Sequence, residues 1–439
     1  MIKKGIRLLL AAMVTGALIL GTGCGQGQTT PASSSAAGKT TGFTPALDTK
    51  TACNITVTGS YKNFEALEDE FIRFNKYYPN VKLEYSTMDN YKKNIETALK
   101  GDSAPNIYFT YPWMVGRDEY KNAMGSAENL EDPALKMDLG HIRKGSLCRN
   151  DKNECIMLPV FDTTYGILVN EKLFKDNGLE VPTTYDELLK VCAAFKEKGY
   201  KIPLLCYMKD KTLSLYAMFY PHLCAELTKQ SGSVEALNEH KEGCSEYLRS
   251  TMELAYSFWK ENIIDPADTK NLEDNYNALI LRFFEGDIPM MVSNGDTVSG
   301  TAKRESQSEK FTKEPFSYSF HPLPTTDKGG YFLITNSLSL AVNKNCKDLD
   351  MTNEFMRFLS TKDELNNISK IKRLMTVTED MSLDGIYSAF GKVPEENTFN
   401  SIEVGLSDKC VNEFRDSMAV ITEKGGSVDD AVKAFGKGE

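Results

Sequence analysis

The sequence predicts a two-lobed α/β clamp in which the lobes are joined by a hinge of crossing segments. The first observation is a strand–helix–strand–helix–strand pattern between residues 54 and 110. The second is the stretch 158–170, where an apolar run is interrupted by a proline and a strand then leads into a new helix. The third is a similar apolar stretch over residues 288–296, which we expect to complete the hinge.

The N-terminal pattern predicts a parallel sheet. Residues 54–58 form a strand candidate, and apolar residues then recur at helical spacing from 64 to 78. Residues 81–85 alternate between apolar and polar side chains, and a second helical stretch ends at Gly101 before the strand candidate 107–110. Such βαβαβ units bind ligands at the carboxyl ends of their strands.

A separately patterned region follows the stretch 158–170. Thr184 and Glu187 form a capping box that opens a helix, and residues 202–207 are a strand candidate. Residues 213–264 favour helices without defining each one, and a helix over 276–284 precedes the stretch 288–296. This independence of the two regions supports the prediction of two lobes.

The remaining chain continues the alternation of strands and helices. Strands are predicted over 318–323 and 332–342, followed by a helix over 349–359. Another helix begins after Thr361, and the C-terminal region is predicted to be helical.

The N-terminus predicts export and lipid anchoring. Three basic residues precede the apolar run 8–20, which is shorter than the about 20 residues of a spanning helix. Small residues then lead to Cys24 in a pattern that resembles a bacterial lipobox. We therefore expect residues 1–23 to be a signal peptide, Cys24 to be lipidated, and residues 24–50 to be a flexible linker. The alternative is an ordinary signal peptide with an incidental cysteine.

The charge balance excludes nucleic acid as a partner. Without the three basic residues of the signal peptide, the chain has 48 Lys and Arg residues and 61 Asp and Glu residues, which gives a net charge of about −13. A polyanion requires the opposite sign.

The cysteines and histidines predict neither a disulfide framework nor a metal site. Lipidation of one of the ten cysteines leaves an odd number, scattered between Cys53 and Cys410. Cys148 and Cys155 flank a polar turn where a bridge is possible, but the distribution favours free thiols. The sequence contains no Cys-x-x-Cys or His-x-x-x-His pair, and we expect no metal and no cofactor.

Several stretches resemble the extracellular solute-binding proteins of bacterial ABC importers, in the family 1 group that includes maltose-binding protein. They are Glu-Phe-Ile-Arg-Phe-Asn-Lys-Tyr-Tyr-Pro-Asn-Val at 70–81, the stretch 165–188 beginning Tyr-Gly-Ile-Leu-Val-Asn-Glu-Lys-Leu-Phe, and Phe-Glu-Gly-Asp-Ile-Pro-Met-Met-Val at 284–292. Each pattern is weak alone, but their order along the chain is specific.

The resemblance implies a periplasmic-binding-protein-like clamp that delivers a ligand without changing it. Lobe 1 would contain residues 51–160 and 296–358, and lobe 2 residues 161–295 and 359–439. Ligand contacts with both lobes would favour the closed form, which docks on the permease subunits of the importer. The resemblance also implies a monomer and, most often in this family, an oligosaccharide ligand.

A binding site for an oligosaccharide needs aromatic side chains and polar side chains, because sugars stack through their C–H faces and hydrogen-bond through their hydroxyls. Tyr61, Tyr111 and Trp113 follow predicted strands and are candidates for stacking, although packing within the lobe explains them as well.

Polar and aromatic candidates also lie in and near the predicted crossings. Asp162 and Tyr165 lie in the first one, where Asp162 has either a ligand-binding or a hinge role. Asn294 and Asp296 flank a glycine in the second, where a tight turn is the alternative. Tyr331 follows a glycine pair and is a further stacking candidate.

A surface glycoside hydrolase is the rival class of protein, and a peptide or another small solute is the nearer alternative ligand. The sequence has no Gly-x-Ser-x-Gly elbow, and its many carboxylates define no catalytic pair.

Overall fold

Two larger β-sheets organise the computed structural model, which describes residues 42–206, 214–269, 272, 276–383, 385–422 and 425–437. The predicted signal peptide, the predicted lipidation site Cys24 and most of the predicted linker lie outside these residues. No helix within the described ranges is long and apolar enough to cross a membrane.

The strands, in chain order, are β1 (Cys53–Gly59), β2 (Val81–Thr87), β3 (Ile107–Thr110), β4 (Leu158–Thr163), β5 (Tyr165–Asn170), β6 (Leu204–Leu205), β7 (Met290–Asn294), β8 (Tyr318–His321), β9 (Pro324–Thr326), β10 (Gly329–Gly330), β11 (Phe332–Val342) and β12 (Thr398–Asn400).

The helices are α1 (Glu65–Phe74), α2 (Tyr91–Ala98), α3 (Lys121–Ser126), α4 (Glu171–Asn177), α5 (Tyr185–Glu197), α6 (Ser214–Thr228), α7 (Ser233–Asn238), α8 (Arg249–Lys260), α9 (Tyr276–Phe283), α10 (Gly295–Glu305), α11 (Glu309–Lys313), α12 (Leu349–Leu359), α13 (Lys362–Lys372), α14 (Ser401–Val404), α15 (Asp408–Thr422) and α16 (Val428–Ala434).

The first sheet has the order β12-β11-β3-β1-β2, and β4 also pairs with β11. The parallel pairing of β1 with both β2 and β3 confirms the predicted βαβαβ unit. Helix α1 buries Leu67, Phe71 and Phe74, and Phe71 and Phe74 both pack on Phe355 of α12. Burial of each such phenylalanine stabilises the lobe by about 1.5–3 kcal/mol.

The second sheet has the order β6-β7-β5-β8, with β5 antiparallel to both β7 and β8. The predicted capping box at Thr184 and Glu187 is confirmed, since both of its hydrogen bonds are present. The predicted strand over 202–207 is limited to β6, and residue 207 lies outside the described part of the chain.

The chain changes sheet at Thr164. Strand β4 pairs with β11 in the first sheet, whereas β5 pairs with β7 in the second, and Thr164 alone separates them. A Cβ atom on Gly166 would lie 2.1 Å from the carbonyl oxygen of His321, so β5 requires glycine there. The change of sheet falls within the stretch 158–170.

The return crossing lies later in the chain than expected. The Asn294 side chain caps α10, so the stretch 288–296 leads into a helix instead of leaving the lobe. Helix α10 packs on β7 and α9, and β8 pairs with β5. The chain returns in β11, which pairs with β12 through residues 332–334 and with β4 and β3 through residues 335–342.

Helix α13 also differs from the expected division, because it packs on α1 and β4 of the first lobe. Leu365 and Ile368 are buried in that core, and the Arg73 guanidinium donates to Glu364 at 2.8 Å. We therefore propose a division in which lobe 1 contains about residues 42–163 and 335–377, and lobe 2 contains most of the rest.

Cys148 and Cys155 are free thiols, so the possible bridge between them is not formed. Burial raises the pKa of each of these two thiols to about 11, which keeps them protonated and unreactive.

Candidate ligand-binding site

Three aromatic side chains gather where parallel strands of the first sheet end. Tyr61 follows β1, and Tyr111 and Trp113 follow β3. The Tyr111 and Trp113 rings are stacked, with centroids 5.2 Å apart and an interplanar angle of 13°. All three side chains are partly exposed, and we call them the aromatic shelf. The βαβαβ unit therefore places a stacking surface at the edge where α/β sheets bind ligands.

Cationic side chains lie beside the shelf. Lys92 Nζ is 4.7 Å from the Trp113 ring centroid, and the Arg117 guanidinium carbon is 5.3 Å away. Lys372 Nζ is 4.9 Å from the Tyr61 ring centroid. These positions suit cation–π attraction, and they place charged hydrogen-bond donors next to the aromatic surface.

Asp296 brings a carboxylate of the second lobe to the shelf. It lies in the first turn of α10, and the Ser337 hydroxyl donates to it at 2.5 Å. Burial raises the pKa of Asp296, while the Ser337 hydrogen bond and the Lys372 ammonium oppose that rise. Burial and then the Asp296 charge raise the pKa of Tyr61. Asp296 therefore shares one partly dehydrated environment with Tyr61 and Lys372.

The start of α10 is held against the hinge. The Gly295 N–H donates to the Thr164 carbonyl oxygen at 2.9 Å. A Cβ atom on Gly295 would lie 2.5 Å from Thr163 Oγ1, so only glycine permits this approach. Asn294 accepts from the Thr297 backbone N–H at 2.9 Å as the helix cap. Thus Asn294 positions Asp296, and its own side chain is occupied by capping.

Lys372 and Ser337 are site residues that the sequence did not reveal. Lys372 ends α13, and burial lowers its pKa, an effect opposed first by Asp296 and then by Glu65. Ser337 lies in the middle of β11. Neither belongs to a local motif, because each reaches Asp296 only through the return of the chain to lobe 1.

Asp162 lies in the hinge with its carboxylate fully engaged. The side chain is completely buried, and it accepts from Arg143 at 2.5 Å and from Ser146 Oγ at 2.6 Å. Asn336 Nδ2 adds a third contact at 3.3 Å. Burial raises the pKa of Asp162, and the Arg143 charge opposes the rise. These contacts favour the hinge interpretation of Asp162 over ligand binding.

Tyr165 and Tyr331 are both buried side chains. Tyr165 is paired with Asn294 in the second sheet, and its side chain is 9% exposed within the second core. Tyr331 is 6% exposed, and its ring centroid is 5.9 Å from that of His222 and from that of Phe399. The structure therefore groups Tyr61, Tyr111, Trp113 and Asp296, whereas the burial of Tyr165 and Tyr331 is consistent with packing in the second lobe.

One ion pair joins the lobes beside the shelf. Arg117, which lies next to Trp113, pairs with Asp408 at the start of α15. This ion pair therefore connects α15 of the second lobe to the first lobe.

Comparisons with known proteins agree with this architecture. Residues 56–365 match the family model described as bacterial extracellular solute-binding protein. A multiple sugar-binding protein from Streptococcus mutans is 22% identical over 315 residues, which cover 68% of this chain and 69% of that protein.

Solved structures share the fold at low sequence identity. RafE from Streptococcus pneumoniae, solved both without ligand and with raffinose, has a TM-score of 0.65 and 17% identity, covering 88% of this chain. The match covers 98% of the unliganded RafE chain and 99% of the raffinose complex. A sugar transporter from Bacillus licheniformis in complex with stachyose has a TM-score of 0.61 and 18% identity, covering 87% of this chain and 98% of that chain. Because the family model matches most of its length, this chain belongs to the bacterial extracellular solute-binding proteins.

Proposed function

We propose that this protein captures an oligosaccharide between its lobes and delivers it to the permease subunits of an ABC importer. The observation that carries the proposal is the aromatic shelf of lobe 1, whose Tyr111 and Trp113 rings are stacked, with Asp296 near enough to Tyr61 for its charge to raise the pKa of that tyrosine. Raffinose and stachyose appear with two structures of the same fold, and the curated relative is named for several sugars.

Each part of the site has a role in this binding. The stacked rings of Tyr111 and Trp113 offer an apolar surface for the C–H face of a pyranose ring. Asp296 accepts hydrogen bonds from sugar hydroxyls, and Lys92 and Lys372 donate them. A carboxylate that is already partly dehydrated costs less to cover with ligand, which favours affinity.

Closure follows from the placement of these groups on different lobes. A sugar that touches the shelf and Asp296 together bridges lobe 1 and α10, so it stabilises the closed form. The Arg117–Asp408 pair adds a contact across the same opening. The closed form is the one we propose to dock on the permease.

The anchoring proposal rests on the N-terminal sequence. Cleavage before Cys24 and lipidation of its thiol would hold the protein at the extracytoplasmic face of the membrane through the linker 24–50. Labelling of cells with a radioactive or clickable fatty acid tests this, since Cys24→Ser should abolish labelling of the protein.

A titration of the purified mature protein with a panel of oligosaccharides tests the binding proposal. We expect saturable binding of one sugar per chain and full recovery of the intact sugar by chromatography. Sugar cleaved at catalytic rates would favour the rival hydrolase class. Binding of a peptide and of no sugar would favour the alternative ligand.

A further inference from the structure

A histidine, a cysteine and a glutamate meet in the second lobe, away from the aromatic shelf. The donor atoms of His240, Cys410 and Glu413 all lie within 4.8 Å of one another. His240 Nε2 is 2.6 Å from Glu413 Oε2. Cys410 is fully buried, and His240 and Glu413 are partly buried, so the group lies at the edge of the core and remains reachable from solvent.

Local structure brings these donors together, and the Cys410 thiol donates to the Leu237 carbonyl oxygen at 3.2 Å. Cys410 and Glu413 are three residues apart on α15, which places them on the same face of the helix. His240 follows α7 with a φ of 52°, a left-handed turn that directs its side chain back towards α15.

The imidazole is also held by its neighbours. The Phe435 ring stacks on it with a centroid distance of 5.7 Å and an angle of 15°. A Cβ atom on Gly436 would lie 3.1 Å from His240 Cδ2, so a glycine there leaves room for the ring.

A second thiol lies close by. Cys244 is 7% exposed, and burial, followed by smaller effects that include the Glu413 carboxylate, raises the pKa of its thiol. The pKa of the Cys410 thiol is likewise raised mainly by burial, and the Glu413 and Cys244 charges raise it further by smaller amounts. Cys244 is therefore a neighbour of the group, whose three donors are His240, Cys410 and Glu413.

We propose that His240, Cys410 and Glu413 form a binding site for Zn²⁺, with a fourth position filled by water. Sulfur, imidazole nitrogen and carboxylate oxygen are the ligands that zinc takes in proteins. Bond lengths of about 2.0–2.3 Å place tetrahedral donors about 3.3–3.8 Å apart. The three donors lie within 4.8 Å of one another, so zinc binding would require side-chain rotations that also lengthen the 2.6 Å contact between His240 and Glu413.

Binding changes the protonation of the site. The Cys410 S–H bond breaks, the sulfur bonds to zinc through its lone pair, and the proton passes to solvent. Zinc would tie the α7 turn to α15, the helix whose first residue, Asp408, pairs with Arg117.

Metal titration of the mature protein tests this proposal. The protein is first treated with chelator and kept in reductant, so that Cys244 and Cys410 remain thiols, and Zn²⁺ or Co²⁺ alone is then added. We expect one Co²⁺ per chain with a thiolate-to-cobalt charge-transfer absorption, competed away by Zn²⁺.

Matched variants separate this site from adventitious binding. Cys410→Ser should remove the charge-transfer absorption, and His240→Gln should weaken Zn²⁺ binding at least tenfold, whereas Cys346→Ser should leave both unchanged. Thermal unfolding without metal checks that each variant folds. Absence of the charge-transfer absorption, or equal affinity in wild type and Cys410→Ser, would overturn the proposal. Oligosaccharide binding is measured separately, and its outcome does not bear on the zinc site.

Discussion

The Ser337 hydroxyl donates to the Asp296 carboxylate at 2.5 Å, and this contact joins the strand that returns to lobe 1 with the first turn of a lobe 2 helix. The Asp296 contact therefore depends on the relative position of the lobes, and Asp296 lies beside the aromatic shelf. The predictions below distinguish the residues that would hold ligand from those that hold the hinge.

Replacement of Asp296 tests the proposed polar contact with ligand. Asp296→Asn should weaken oligosaccharide binding by about tenfold to a hundredfold, because hydrogen bonds to a charged group contribute about 1.5–3 kcal/mol. Calorimetric titration measures the affinity, and Asp327→Asn, at an exposed position near β10, is the matched control. Unchanged affinity in Asp296→Asn would remove this residue from the ligand site.

Trp113 provides a direct optical report on stacking. The chain has two tryptophans, so Trp259→Phe leaves Trp113 as the sole reporter. We expect its fluorescence to change on addition of a bound sugar, because stacking alters the environment of the indole. In a separate variant, Trp113→Ala should lower the affinity at least tenfold while the fold is retained. Unchanged Trp113 fluorescence on sugar binding, together with wild-type affinity in Trp113→Ala, would contradict the stacking role.

Asp162 should affect stability instead of affinity. Asp162→Ala leaves the Arg143 guanidinium without its buried carboxylate, and we expect the free energy of unfolding to fall by about 3–5 kcal/mol. Denaturant unfolding measures this, with Asp151→Ala in an exposed turn as the control. The folded fraction should bind sugar within about threefold of wild type, and a larger loss would assign Asp162 a ligand contact.

The Arg117–Asp408 pair should bias the protein towards the closed form. Asp408→Asn should increase the radius of gyration of the free protein in X-ray scattering and weaken sugar binding by about two- to fivefold, since partly exposed ion pairs contribute up to about 1 kcal/mol. Asp429→Asn, which breaks a contact within lobe 2, serves as the control. An unchanged radius and affinity would show that this pair has no role in closure.

His222 should make the protein sensitive to acid. Burial, the largest cause, lowers its pKa from 6.5 to about 4, whereas the neighbouring Glu226 opposes that shift. The unfolded chain therefore takes up a proton first, so the stability contributed by neutral His222 is complete above pH 6.5 and is lost as the pH falls towards 4.

A substitution at His222 isolates this contribution. His222→Gln retains a polar partner for Thr251, whose hydroxyl is 3.0 Å from His222 Nδ1. Between pH 7 and pH 4, the wild type should lose roughly 3 kcal/mol more unfolding free energy than the variant. Parallel losses in the two proteins would show that His222 does not titrate in this way.

The periodicity of apolar residues and the capping motif were sufficient to predict the N-terminal βαβαβ unit and the helix that begins after Thr184. Both depend on local patterns, because their residues interact within one or two turns or strands. The crossing expected at 288–296 rested on an apolar stretch, whereas in the structure Asn294 caps α10 and the chain stays with the second sheet through β8.

The site was predictable to the extent that it lies at strand ends. Tyr61, Tyr111 and Trp113 follow β1 and β3, so the rule for parallel sheets identified them. Lys372 and Ser337 required knowledge of which distant segments meet. The same limit applies to His240 and Cys410, whose donors come from two segments separated by most of a lobe.

Calorimetric titration of the mature wild type and Asp296→Asn with raffinose-family, malto- and xylo-oligosaccharides tests the central claim most directly. The account predicts that at least one sugar binds the wild type with a stoichiometry of one, remains chemically intact, and binds the variant at least tenfold more weakly. Failure of every sugar to bind, or equal binding by both proteins, would contradict an oligosaccharide site between the aromatic shelf and Asp296.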